Sequence, residues 1–80
     1  MTESQILTEL NAIFRDVFND DSLTLTPATT AADVPGWDSL THVTLTVSVE
    51  AHFGIKFRAA ELEELHNIGD FVHAIARKKG

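Results

Sequence analysis

The stretch from Ser39 to Phe53, SLTHVTLTVSVEAHF, constrains the fold more than any other part of this 80-residue chain. It is bounded by Pro35-Gly36-Trp37-Asp38 on one side and Gly54 on the other, both turn signals. Within it Val43, Leu45, Val47 and Val49 alternate with Thr and Ser as on a half-buried strand, and their β-branched neighbours favour that conformation locally. Against a strand, the block is too long for an ordinary one, and no second convincing strand lies elsewhere to pair with it. Read at helical period, the same residues form two stripes. Leu45, Val49 and Phe53 fall at i, i+4 and i+8, while Leu40, Val43, Val47 and Ala51 gather on roughly the opposite side. One stripe is expected to face the core, and the other to stay partly available to a ligand or partner.

The flanking segments also read as helices. Thr2 followed by Gln5 fits a capping box, and Ile6, Leu7, Leu10, Ile13, Phe14, Val17 and Phe18 recur at helical spacing until Asn19-Asp20-Asp21. The next eighteen residues, DDSLTLTPATTAADVPGW, form a long loop whose apolar pegs Leu23, Leu25 and Val34 are expected to pin it to the bundle. After Gly54, the stretch RAAELEEL carries Leu62 and Leu65 on a short helix. Asn67 followed by Asp70 then starts a last helix with Ile68, Phe71, Val72 and Ile75, and Arg77, Lys78 and Lys79 complement its negative end. The expected fold is all-α: one domain over residues 1–80, a small four-helix bundle of three longer helices and one short one, with a long loop between helices 1 and 2.

A chain this small, 44% hydrophobic, supports one core but not a core plus a roomy catalytic cleft, which argues against a free-standing enzyme. With no cysteine it has no disulfide framework, thiolate metal site or thiol chemistry of its own. Any thiol must come from a cofactor. The acidic, amphipathic start MTESQILTEL lacks the basic, then continuously apolar pattern of a signal peptide, and no stretch approaches spanning length. The expectation is a cytoplasmic monomer without membrane insertion. Twelve acidic and six basic residues give a net charge of −6, and four of the basic ones, Arg58, Arg77, Lys78 and Lys79, come after position 57. Such a surface repels nucleic acid and attracts partners with basic docking patches.

Ser39, at the head of the ambiguous block, admits three readings. Asp38 and Ser39 are residue types that cap helices. A serine at a helix N-terminus is also well placed to carry a phosphoester, because the dipole and free N–H groups favour negative charge there. A nucleophile paired with His42 would need a third group, an oxyanion hole and a G-x-S-x-G context, and none is evident. His42, His52, His66 and His73 show no recognised metal-ligand spacing, although His66, Asp70 and His73 share a face; solvated surface histidines are the simpler account. Trp37 beside the Pro-Gly turn reads as a peg closing the loop. Glu61, Glu63 and Glu64 read as a solvated face that could also receive a partner's basic residues.

GWDSL before a hydrophobic helix, an amphipathic helix before a Thr/Pro-rich loop, F-G-I at the helix end, then a short acidic helix and a final helix, together resemble the acyl carrier proteins over essentially the whole chain. The resemblance implies a carrier, not an enzyme. A phosphopantetheinyl transferase, using coenzyme A and magnesium, would attach 4'-phosphopantetheine to Ser39, and the arm's thiol would supply what the missing cysteines cannot. It further implies that Asp38 and Leu40 are read by the transferase, and that Val43, Val47 and Glu50 belong to the partner-recognition face. Leu45 and Val49, the core side of that helix, with Leu62 and Leu65, would border a groove for an acyl chain. Partners would be enzymes that load, transfer or condense acyl groups in a fatty acid, polyketide or specialised lipid pathway. One departure stands out: Thr41, Thr44 and Thr46 occupy much of the polar surface where general fatty-acid carriers have acids, and only Glu50 is acidic. That favours a dedicated pathway with apolar docking. Two rivals remain at this stage, a peptide-synthetase-like carrier of amino acids, which Asp38 mildly disfavours, and an unmodified helical adaptor.

Overall fold

The computed structural model describes residues 1–79 as four helices: α1 (Glu3–Phe18), α2 (Ser39–Phe53), α3 (Ala59–Glu63) and α4 (Ile68–Lys79). A 3-10 turn, Ala31–Asp33, interrupts the first loop, and one isolated bridge pairs Thr30 with Asn67. This is the all-α arrangement expected from the sequence, except that α3 stops at Glu63 and Leu65 lies in the turn beyond it.

Each long helix starts, and α1 and α2 end, where the sequence satisfies the orphan backbone groups. Thr2 and Gln5 exchange the two bonds of a capping box at α1, and Asn19 closes that helix in the left-handed conformation at φ 52°. At α4, Asn67 Oδ1 accepts the Asp70 N–H at 2.8 Å, and Asp70 Oδ2 accepts the His66 and Asn67 N–H groups in return. The next two donors of α4 go to the long loop, Ile68 N–H to the Thr29 carbonyl and Gly69 N–H to the Pro27 carbonyl. Loop and helix end thus complete each other's hydrogen bonding, which is how a backbone without regular structure can lie against the bundle.

The loop is fixed from the α1 side as well. Asn11 donates from Nδ2 to the Leu23 carbonyl and accepts the Leu25 N–H on Oδ1 at 2.7 Å, while Arg15 Nε donates to the same Leu23 carbonyl. Leu25 and Val34 are buried and Leu23 half-buried, so all three pegs insert. Trp37 follows them. Helix α1 packs against both α2 and α4. At the centre, Phe14 meets Phe71 edge-on at 6.1 Å and Trp37 edge-on at 5.3 Å.

The ambiguous block is a helix. Leu45 and Val49 are completely buried and Phe53 nearly so, whereas Leu40, Val43 and Val47 are 78%, 60% and 58% exposed. Burial of one complete stripe outweighs a strand preference worth at most about 1 kcal/mol per residue. The threonines are accommodated by bonding back along the helix, Thr46 Oγ1 to the His42 carbonyl at 2.8 Å and Thr44 Oγ1 to the Leu40 carbonyl. Thr46 is therefore buried, and does not belong to the polar surface to which its residue type assigned it.

Candidate functional site

Ser39 is the first residue of α2, and its position is built by the turn before it. Val34-Pro35-Gly36-Trp37 closes with the Trp37 N–H donating to the Val34 carbonyl, Pro35 presetting the first central residue and Gly36 taking φ 88° at the second. That geometry drives Trp37 into the core, 9% exposed, as the loop-closing peg. The chain emerges at Asp38, the N-cap, whose Oδ1 accepts the Thr41 N–H at 2.9 Å. This bond holds the Asp38 carboxyl below the usual carboxylate range. Because Asp38 supplies the cap, the Ser39 hydroxyl is not needed for it, and Ser39 is exposed.

Ala31, Trp37, Asp38, Ser39 and His42 line an open cleft of about 300 Å³ beside that hydroxyl. His42, one turn after Ser39, lies nearly coplanar with Trp37, the rings 13° from parallel and 6.1 Å apart, and meets Phe71 of α4 edge-on at 5.9 Å. Trp37 Nε1–H donates to His42 Nδ1 at 3.2 Å. Partial burial lowers the imidazole's affinity for a second proton. His42 is thus not one of the solvated surface histidines that composition led us to expect; its spacing, three residues after Ser39 and five after Trp37, was the available clue.

The other residues singled out from the sequence fall into three groups. Leu40, Val43 and Val47 form an exposed apolar stripe running along α2 away from Ser39. Glu50 is half-buried, and its Oε2 accepts the Phe57 N–H at 2.8 Å, so this carboxylate ties α2 to the segment leading into α3. Leu45, Val49 and Leu65 are buried and Leu62 is half-buried against the same core. Leu65 also lines a cleft with Glu61, Glu64, Asp70, His73, Ala74 and Arg77, a polar surround quite unlike a sheath for an alkyl chain.

Some charges elsewhere are engaged within the chain. Glu61, read as part of a solvated acidic face, pairs with Lys78 of α4 at 2.8 Å. His52 contacts Glu9 at 2.7 Å and His73 lies 3.8 Å from Glu3. Among the described residues no group of three or more His, Cys, Asp or Glu side chains could hold a metal ion, and the Asp70 carboxylate is taken up by backbone N–H groups. No helix among them is long and apolar enough to cross a membrane.

Comparison with known proteins agrees with this geometry. The family described as "Phosphopantetheine attachment site" matches residues 8–75. An acyl carrier protein of Thermotoga maritima is 30% identical over 79 residues, covering 99% of this chain and 98% of the relative. One from Thermosynechococcus vestitus is 31% identical over 78 residues, covering 98% and 96%. Among solved structures, the solution structure of a holo acyl carrier protein from Geobacter metallireducens superposes with a TM-score of 0.85 at 49% identity, over 90% of this chain and 83% of that one.

Proposed function

The chain belongs to the acyl carrier proteins, a family of carriers and not enzymes that bear covalent 4'-phosphopantetheine, and we propose that Ser39 is its attachment residue. The observation that carries this reading is the exposed Ser39 hydroxyl at the first turn of a fifteen-residue helix, left free because Asp38 provides the cap. The surroundings fit the group. A phosphate on Ser39 would meet the positive end of α2, and the adjoining cleft has a single carboxylate, that of Asp38, in its lining. When bound, the group supplies the thiol on which acyl cargo is held as a thioester.

Loading would join the Ser39 Oγ to the β-phosphorus of coenzyme A. The pyrophosphate P–O bond breaks, adenosine 3',5'-bisphosphate leaves, and the serine proton passes to a base on the phosphopantetheinyl transferase. This chain contributes the hydroxyl and its presentation. Asp38 fixes the backbone that aims it, and Leu40, 78% exposed beside it, offers the transferase an apolar handle.

For acyl-handling enzymes we assign the docking face to Leu40, Val43 and Val47. The carboxylates that would make this face strongly acidic are absent, and the one acid on α2, Glu50, is occupied by the Phe57 N–H. This supports partners that meet α2 with an apolar recess more than with a basic patch, in a dedicated polyketide or lipid pathway in preference to general fatty acid synthesis. A cargo chain reaching Leu45 and Val49 would have to displace the packing around them, since both are already fully covered.

The deciding experiment is intact-protein mass spectrometry after incubation with coenzyme A, magnesium and a broad-specificity transferase. One phosphopantetheine mapped to Ser39 is expected, and none on Ser39→Ala, whose helical circular dichroism stays unchanged. A Ser39→Ala chain that still acquires the group would remove Ser39 from its role.

A further inference from the structure

His42 has one ring nitrogen committed and one uncommitted. Trp37 Nε1 can only donate, so the 3.2 Å bond requires an unprotonated Nδ1 on His42. In the neutral ring the proton then sits on Nε2. Among the described residues no acceptor is hydrogen-bonded to that Nε2. The ring cannot easily turn to find one, because the Trp37 hydrogen bond holds it nearly coplanar with the indole and Phe71 abuts it. The ring lines the cleft that contains Ser39, on the same face of α2 and one turn along, and it carries an N–H donor that no group of the described residues engages.

Accepting Ser39 as the attachment residue, we propose that His42 is the side chain that binds the phosphodiester formed there, with Trp37 setting the tautomer that makes its Nε2 a donor. The anion is the part of the arm nearest Ser39, and a neutral imidazole N–H is a suitable partner for its oxygens. Trp37 thereby links loop closure to arm placement: the peg that seals the core also aims the donor. The other titratable group lining the cleft is Asp38, whose carboxylate is bound to the Thr41 N–H. Helix α4 presents the uncharged Phe71 to the ring, and the 3-10 turn presents Ala31 to the cleft. Asp38 is common to the chain before and after modification, so its influence on His42 cancels in a comparison of the two forms.

The test is a pair of pH titrations on the whole chain, unmodified and carrying the arm, following the His42 ring by 15N-edited NMR and the phosphodiester by 31P NMR. A nearby anion favours the imidazolium, so the His42 midpoint rises on modification by roughly 0.5–1 pH unit. The 31P resonance of the modified chain shifts with that same midpoint. His42→Phe keeps an aromatic ring against Trp37 but has no donor, and in the fraction of that variant carrying the arm the 31P step at this midpoint disappears; His42→Gln, which restores an N–H of similar reach, brings the 31P resonance back toward its wild-type position at neutral pH. An unmoved His42 midpoint with a flat 31P trace overturns the proposal, as does a 31P step that survives in His42→Phe. Absence of any phosphodiester resonance from Ser39 would instead mean that the attachment reading has failed, and this inference with it.

Discussion

Removing the Asp38 carboxylate leaves the Thr41 N–H without its acceptor at the very turn that presents Ser39. Asp38→Ala should lower the urea midpoint of the unmodified chain, and slow its loading more than that instability alone explains, because the first turn of α2 frays. The pH dependence follows from the sign of the shift. The Thr41 N–H depresses the Asp38 pKa from 3.8, so the cap's contribution is complete above that value and is lost as pH falls through the lower folded value. Wild-type and Asp38→Ala urea midpoints should therefore differ at neutral pH and converge in strong acid; a difference that persists there would assign the effect to something other than the ionised cap. At this scale much was legible in advance. Asp38, Ser39, Gly54 and the Thr2/Gln5 box are short-range devices, each read within a few residues. His42 was not, because its partners Trp37 and Phe71 are assembled by a loop and a distant helix.

Helix α2 divides into a face that holds the molecule together and a face that does not. Leu45→Ala removes a fully buried side chain and should cost about 2–5 kcal/mol in denaturant unfolding. Val43→Asp and Val47→Asp change exposed positions and should each cost about 0.5 kcal/mol or less. The same two substitutions should weaken binding to an acyl-handling partner, measured by calorimetry on correctly folded protein. Gross unfolding by both would mean that their stripe is the structural one. The alternation of Val with Thr hid this division from purely local reasoning, since it fits a strand as well as a two-striped helix. Length, the Asp38 cap and the Gly54 stop, which adopts φ 67°, favoured the helix from sequence; contact with α1 chose which stripe is inside.

Across the whole molecule, the long first loop is a structural member and not a tether. Asn11 bonds two backbone groups of the segment around Leu23–Leu25, the Leu25 N–H by itself and the Leu23 carbonyl together with Arg15, and those bonds are partly buried. Asn11→Ala should cost about 1–3 kcal/mol and speed amide exchange at Leu25, with little change in helical content. Exchange at Leu25 no faster than wild type would show that the apolar pegs suffice. The loop matters for function because it runs directly into the Pro-Gly turn and Trp37, so whatever loosens it also loosens the wall of the Ser39 cleft. By itself the sequence determined the helical class, most of the helix boundaries and the absence of any thiol of its own. These follow from local hydrogen bonding, periodicity and composition, which need no knowledge of distant neighbours. The choice of Ser39 as the serine most worth testing came from the resemblance of the whole chain to a family. Only the tertiary structure decided that Thr46 is inside, that Glu50 is tied to the Phe57 N–H and that Glu61 is paired with Lys78. It likewise decided that His42 is held against Trp37. In each case the environment of a polar side chain is set by how the elements pack, whether the partner is four to seven residues along, as for Thr46, His42 and Glu50, or on another helix, as for Glu61, and residue type gives no measure of how close they come.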